Sequence, residues 1–347
     1  KFYFGGIEWD QWEDEIRMHK KSAVAHYTKL LQSEIGFWKF CQYKFYSQWK
    51  KLKKYANKKD IKIIGDIPLY MALDSADVWA HGELFELDER KKPIHVAGVP
   101  PDCFSEDGQL WGNPIYNWKK MEHTGFAWWY QRMRSNANLY DVIRIDHFIG
   151  IVNYWSIPAD SQTAINGKWK KGPGKKLTKV IKKATKGASI IAEDLGVVGD
   201  NVRALIQKTG WPGMKILLFA FDDENGANEY LPHNYASENC IVYGGTHDND
   251  TIVGYYKEKS DEEIKFVKQY LGISKKEDLP RAMIRCGYAS IAKTAVFQMQ
   301  DILALDNSAR MNCPSTVGTN WKWRMLPNQF TADHIRFLKK MCRLYNR

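Results

Sequence analysis

The feature that most constrains this chain is a series of short, apolar, β-rich segments, each running into a polar residue. Six stand out: Ile61–Ile67, Val142–Ile145, Ser189–Ala192, Met214–Phe221, Cys240–Gly245 and Ala295–Met299. Helical stretches and loops separate them, for example the periodic region Phe37–Asn57 ahead of the first segment. Strands alternating with helices make βαβ units and a parallel sheet. A chain of 347 residues accommodates either two domains or a single large α/β barrel. The stretch from about 73 to 140 is too long for one crossover and is rich in Pro, Gly and Trp. It reads as an insertion, residues 73–140, that builds part of a binding surface, while residues 1–60 read as a helical lead-in. No repeat or low-complexity block interrupts this pattern.

What sits at the strand ends narrows the chemistry. Asp66 follows Ile-Ile-Gly, and Arg144 and Asp146 end the second segment. Glu193 and Asp194 end the third, and His247 and Asp248 follow Tyr-Gly-Gly-Thr. One such carboxylate is readily a helix N-cap in a βα loop. Four together, with Arg and His beside them, match where catalytic residues gather in a β/α barrel. Glycosidic bond cleavage needs two carboxyls flanking the bond, one to attack and one to protonate the leaving oxygen. Arg144 lies two residues before Asp146 on one strand, so both side chains point the same way and the guanidinium favours an ionised Asp146. Glu193 has the longer reach, and a poorly solvated site near negative charge would keep its proton near neutral pH. Asp248 is placed to oppose the positive charge of an oxocarbenium-like transition state, and His247 to donate to sugar hydroxyls. No second His or Cys lies at ligand spacing from His247 and Asp248, so no metal site is expected.

Composition closes off other classes. A net charge of +11 and a pI near 9.1 would admit nucleic acid, but the excess is mostly Lys in dispersed pairs such as Lys20-Lys21 and Lys275-Lys276. That distribution describes a solvated surface rather than a nucleic-acid footprint. The longest apolar run, Ile216–Phe221, is far short of the ~20 residues that span a bilayer, and the N-terminus lacks the pattern of a secretion signal. Six cysteines without a CxxC pair read as reduced thiols of a cytoplasmic protein. Phe, Trp and Tyr make up 14% of the residues, which serves either sugar stacking or a Trp-rich core.

Longer motifs then carry a resemblance. They are Gly65-Asp66-Ile67-Pro68, Asp74–Trp79, Ala97-Gly98-Val99-Pro100-Pro101-Asp102, Gly108–Pro114, Arg144–Phe148, Ala192–Gly196, Gly245–Thr251, Gln300-Asp301 and Arg310–Pro314. In these stretches, from about residue 37 to 325, the chain resembles the 4-α-glucanotransferases of glycoside hydrolase family 77. The resemblance implies a TIM (β/α)8-type barrel with long loop insertions, residues 1–347 forming one catalytic domain. It implies no cofactor and a retaining double displacement on α-1,4-glucans. Maltooligosaccharides, amylose or glycogen-type glucans would be donors, and glucose or another maltooligosaccharide the acceptor. Asp146 is then the nucleophile, Glu193 the acid/base and Asp248 the transition-state stabiliser. Arg144 and His247 hold the sugar at the cleavage point; Asp102, Gln109 and Trp111 match the loop that contacts the glucan, and Asn312 faces it. The family's opening segment, which supplies the first barrel strands, has no counterpart here, so six barrel strands are expected rather than eight. Two other readings stay open: an α-glucan hydrolase of related fold with the same carboxylates, and a truncated, non-catalytic glucan-binding relative. The cytoplasm is the expected location, or the plastid in a photosynthetic eukaryote.

Overall fold

The structure, a computed structural model, describes Lys1 to Arg347 apart from residues 102–104, 197, 223–225 and 315. The chain divides into two compact units, Lys1–Trp211 and Pro212–Arg347. The strands of the first are β1 (Ile64–Ile67), β2 (His95–Val99), β3 (Gln109–Pro114), β4 (Val142–Ile145), β5 (Asn153–Pro158), β6 (Lys168–Lys171) and β7 (Ser189–Ala192). Those of the second are β8 (Gly213–Ile216), β9 (Cys240–Tyr243) and β10 (Thr294–Val296).

In the first unit β1, β4 and β7 form a parallel sheet in that order. Its register sets Asp66 beside Arg144 and Ile145 beside Ala192. The chain returns from β4 to β7 partly through the helix Lys175–Ala184, whose Leu177, Thr178, Ile181 and Ala184 share one buried stripe at helical spacing. That helix packs on the helix Ala127–Leu139. Beneath them lies a core of Ile143, Ile145, Phe148, Trp129 and Tyr116, all fully buried. Trp118, Trp128 and Trp129 crowd around Tyr116, so part of the aromatic excess is core. Another part is exposed: the 26-residue helix Gln32–Asn57 buries none of its residues and leaves Phe37, Trp38, Tyr43 and Tyr55 open. Trp49 anchors it by donating its indole N–H to Leu139 O at 2.8 Å.

A second sheet, antiparallel in the order β3-β2-β5-β6, is sewn from two strands that precede β4 and two that follow it. Gly98 of β2 admits the close approach of β3, because a Cβ there would stand 2.0 Å from Gln109 O. The sequence reading has no strands between 145 and 189, and β5 and β6 correct it. β5 buries Tyr154, Ser156 and Ile157, and β6 is a lysine-rich edge strand. Neither shows the continuous apolar run that marks a buried parallel strand.

The second unit holds β8, β9 and β10 as a parallel sheet, each strand beside its neighbour in sequence. Helices join β9 to β10, among them Leu279–Ala289, which buries Met283 and Ile284. The expected strand Met214–Phe221 ends at Ile216, and Leu217–Phe221 is a 3₁₀ helix with Leu217, Leu218, Ala220 and Phe221 buried. A buried apolar run does not by itself distinguish strand from helix. All six expected parallel strands are present: Val142–Ile145 and Ser189–Ala192 have the expected bounds, and the other four lose two to five residues at one end.

Candidate active site

Two clusters of chemistry-bearing side chains form, one in each unit. In the first, the β1–β4 register places Asp66 next to Arg144, and the i, i+2 spacing places Asp146 on the same side. Arg144, only 7% exposed, bridges the two: Nη1 donates to both Asp66 oxygens at 2.8 and 2.6 Å, and Nη2 stands 3.0 Å from Asp146 Oδ1. Burial disfavours the guanidinium charge, but Asp66, Asp146 and Glu193 outweigh it and hold the proton more tightly than in free arginine. Asp146 N continues the ladder beyond the strand by donating to Ile67 O at 3.0 Å, and Glu193 N does so to Ile145 O at 3.1 Å. The two carboxylates are therefore fixed at their main chains by sheet geometry.

Glu193 is buried, and burial pushes its carboxyl up to about 7, with the negative charge of Asp146 adding and Arg144 opposing. His147 N donates to Oε2 at 2.7 Å and Leu195 N to Oε1 at 2.6 Å. Each oxygen keeps a second lone pair, so a proton has a place without breaking either bond. His147 reaches this position in the left-handed region, φ 49°, a strained turn for a non-glycine residue. Burial brings the His147 ring down to about 4, so it is neutral at pH 7. Trp111 of β3 sets its ring edge-on to His147 at 4.8 Å, and its Nε1 donates to Gln109 Oε1 at 3.1 Å. Trp111 and Gln109 are thereby brought to the residue following Asp146. Asp102 lies outside the described residues.

In the second unit the loop after β9 carries His247 and Asp248. His247 Nε2 stands 3.2 Å from Asp248 Oδ2, and Asn312 Nδ2 donates to Asp248 Oδ1 at 2.6 Å. Asn312 N also donates to His247 O at 3.1 Å. The expected trio His247, Asp248 and Asn312 is thus one cluster. Arg310 fixes its main chain, donating to Asp248 O at 2.6 Å, to Asn312 O at 2.9 Å and to the Asp250 carboxylate. In the same unit the fully buried Asp301 accepts from Ile252 N at 2.7 Å, and Gln300 Nε2 donates to Ala309 O at 3.1 Å. Burial pushes Asp301 up to about 7. Among the described residues no group of three or more His, Cys, Asp or Glu side chains is arranged to hold a metal ion, and no helix is long and apolar enough to cross a membrane.

Sequence reasoning assigned no role to Asp66, Arg310, Asp250 or Trp321. Asp66 carried a signal, its place at a strand end, and Arg310 and Asp250 lie inside quoted motifs. Trp321 lies beyond the last of them, and its ring is brought to 5.0 Å from that of His247 by the fold alone.

Comparison with known proteins bears on these clusters. The family model described as 4-alpha-glucanotransferase, glycoside hydrolase family 77, matches residues 1–329. The 4-alpha-glucanotransferase of Clostridium butyricum is 47% identical over 349 aligned positions, spanning the whole chain and 71% of that protein. That of Thermus thermophilus is 45% identical over 97% of this chain and 68% of its own length. A crystal structure of amylomaltase from Streptococcus agalactiae in complex with acarbose superposes with a TM-score of 0.96 at 43% identity, covering all of this chain and 70% of that one.

Proposed function

The chain belongs to the 4-alpha-glucanotransferase family, an α/β, TIM-barrel-type fold whose activity is transfer of α-1,4-glucan segments, and from that premise we propose how its residues perform the transfer. The observation that carries the reading is the pairing of opposite demands in one cluster. Asp146 is held by a buried guanidinium, while Glu193 beside it is kept protonated up to about pH 7. Those are the states a nucleophile and a general acid require.

Asp146 attacks the anomeric carbon of an α-1,4-linked glucosyl unit as the glycosidic C–O bond breaks. The Glu193 proton passes to the departing 4-oxygen, leaving a β-glycosyl ester on Asp146. In the second step the Glu193 carboxylate takes the proton from an acceptor's 4-hydroxyl. That oxygen attacks the anomeric carbon and frees Asp146, so two inversions keep the α configuration. Asp248, held by Asn312 and His247, opposes the positive charge that develops in both transition states. Arg144 and His247 hold the reacting sugar, and Gln109, Trp111 and Asp102 contact the glucan. We place all nine residues in a single catalytic domain spanning 1–347, with residues 73–140 as its substrate-binding insertion.

The substrates we infer are maltooligosaccharides and longer amylose- or glycogen-type glucans, with glucose or a maltooligosaccharide as acceptor. The five described cysteines are free thiols, the state a reducing compartment maintains; the proposed location is the cytoplasm, or the plastid in a photosynthetic eukaryote. Incubation with maltotriose tests the reading. Maltotetraose, maltopentaose and longer products are expected; glucose and maltose alone would make the chain a hydrolase, and binding without turnover a glucan-binding protein.

A further inference from the structure

We propose that Trp321 is a stacking platform for a glucosyl unit of the α-1,4-glucan, set beside the residues that hold the reacting sugar. A pyranose ring presents a face of C–H groups, and it binds an aromatic ring that is open on one side and fixed in place. Trp321 meets both conditions. It is 57% exposed, and its ring is tilted 43° to that of His247 at 5.0 Å. Its backbone is in the left-handed region, φ 61°, which an aromatic residue adopts only when its surroundings impose it. The surroundings are on hand. Trp321 N donates to Met311 O at 2.7 Å, next to the Asn312 that holds Asp248. Asn320 closes the preceding loop: its Oδ1 accepts from Cys313 N at 3.0 Å, and its Nδ2 donates to Thr316 O at 3.0 Å and Cys313 O at 3.3 Å. A strained backbone that presents a large apolar ring to solvent gains nothing for folding, and the exposed ring stands against His247, next to Asp248. The ligand class that fits such a ring there is the glucan itself.

The inference rests on reading His247 and Asp248 as part of the transfer site, and the test separates the two. Maltoheptaose affinity is measured by calorimetry on the chain carrying Glu193→Gln, with Trp321 further changed to Ala, Tyr or Gly. Loss of one stacking contact weakens binding roughly five- to tenfold in the Ala and Gly chains, and Tyr stays within about twofold of Trp. The Gly chain melts at or above the temperature of its parent, because glycine relieves the positive φ. Affinity unchanged in the Ala chain would overturn the platform. So would a Gly chain that melts well below its parent while Tyr fails to restore binding, since the ring would then serve the fold. Separately, Asp248→Asn that turns over maltotriose at the unaltered rate would overturn the underlying reading, whatever the Trp321 affinities show.

Discussion

Asp146 and Asp248 have nearly the same exposure, 42% and 37%, yet they are held by different means. Asp146 leans on a buried cation, and the main chains of Asp66, Arg144 and Asp146 are set by parallel strand register. Asp248 leans on a neutral amide and a histidine, and a cation at its main chain fixes the loop rather than the carboxylate. The difference teaches where precision comes from. Strand pairing sets the main chain of a strand-end carboxylate, and one buried arginine two residues before it holds its side chain. A loop carboxylate needs a hydrogen-bonded scaffold of its own, here Arg310, Asp250 and Asn312.

The largest effects test whether the two carboxylates differ in role as they do in support. If Asp146 is the nucleophile as proposed, Asp146→Asn removes the carboxylate that would bond to the sugar, and a loss of ~10⁴ or more in kcat is expected, with glucan binding kept. Activity above a few per cent would end the nucleophile assignment. Glu193→Gln is expected to lose transfer from maltotriose to a similar degree, yet to form the glycosyl ester from α-glucosyl fluoride, whose leaving group needs little protonation. Azide should then release the sugar with its α configuration kept. An inverted product would exchange the roles of the pair.

The pH profile sharpens the same contrast. Glu193 must be protonated to act as acid, and its carboxyl loses the proton at about 7. Accordingly kcat/KM on maltotriose should fall as pH rises through about 7, and the fluoride donor should lack that limb. Stability follows with a definite sign. Unfolded, the group ionises near 4.5; folded, near 7. The folded state therefore binds more protons between those values, and stability declines as pH rises across them. Glu193→Gln removes the decline, so the melting temperature of the unaltered chain should fall relative to that of the variant as pH rises from about 5 to about 8. A difference in melting temperature that does not change with pH would deny the burial cost assigned to Glu193.

The two arginines give the next comparison. Arg144→Lys keeps a charge but not the fork that reaches Asp66 and Asp146 together. With Arg144 buried, at least one carboxylate loses its partner, and ~100-fold in kcat is expected along with clear destabilisation. Arg310→Lys loosens a quarter-exposed clamp, and roughly tenfold in kcat with little change in KM is expected. Equal losses would mean that the loop is fixed as rigidly as the strands.

This contrast also explains what the sequence made legible. Parallel strands announce themselves through apolar runs, and carboxylates at their ends follow by counting, so β1, β4, β7, β9 and β10 and the candidates Asp66, Asp146, Glu193 and Asp248 were readable from residues alone. Asn312 and Trp111 came only through family resemblance, because no local rule ties a loop amide to a carboxylate 64 positions away. Trp321 was not readable at all. Its place depends on one left-handed residue and on how Asn320 closes a loop, and neither leaves a periodic trace. Likewise β5 and β6 escaped because edge strands with polar faces lack the apolar signal.

The smallest expected effect concerns the bond between Asn312 Nδ2 and Asp248 Oδ1, at 2.6 Å. Hydrogen bonds to charged groups are commonly worth about 1.5–3 kcal/mol, but only when nothing replaces the lost partner. Asp248 is more than a third exposed, so water takes the place of the amide in Asn312→Ala, and His247 stays 3.2 Å from the other oxygen. A three- to fivefold fall in kcat is expected, with KM nearly unchanged, because the charge survives and only its aim degrades. Asn312→Asp should do worse than Ala, since it sets a second carboxylate against the first and disfavours ionisation of both. An Ala variant as impaired as Asp146→Asn would show that the amide, and not the surrounding loop, carries the function of Asp248.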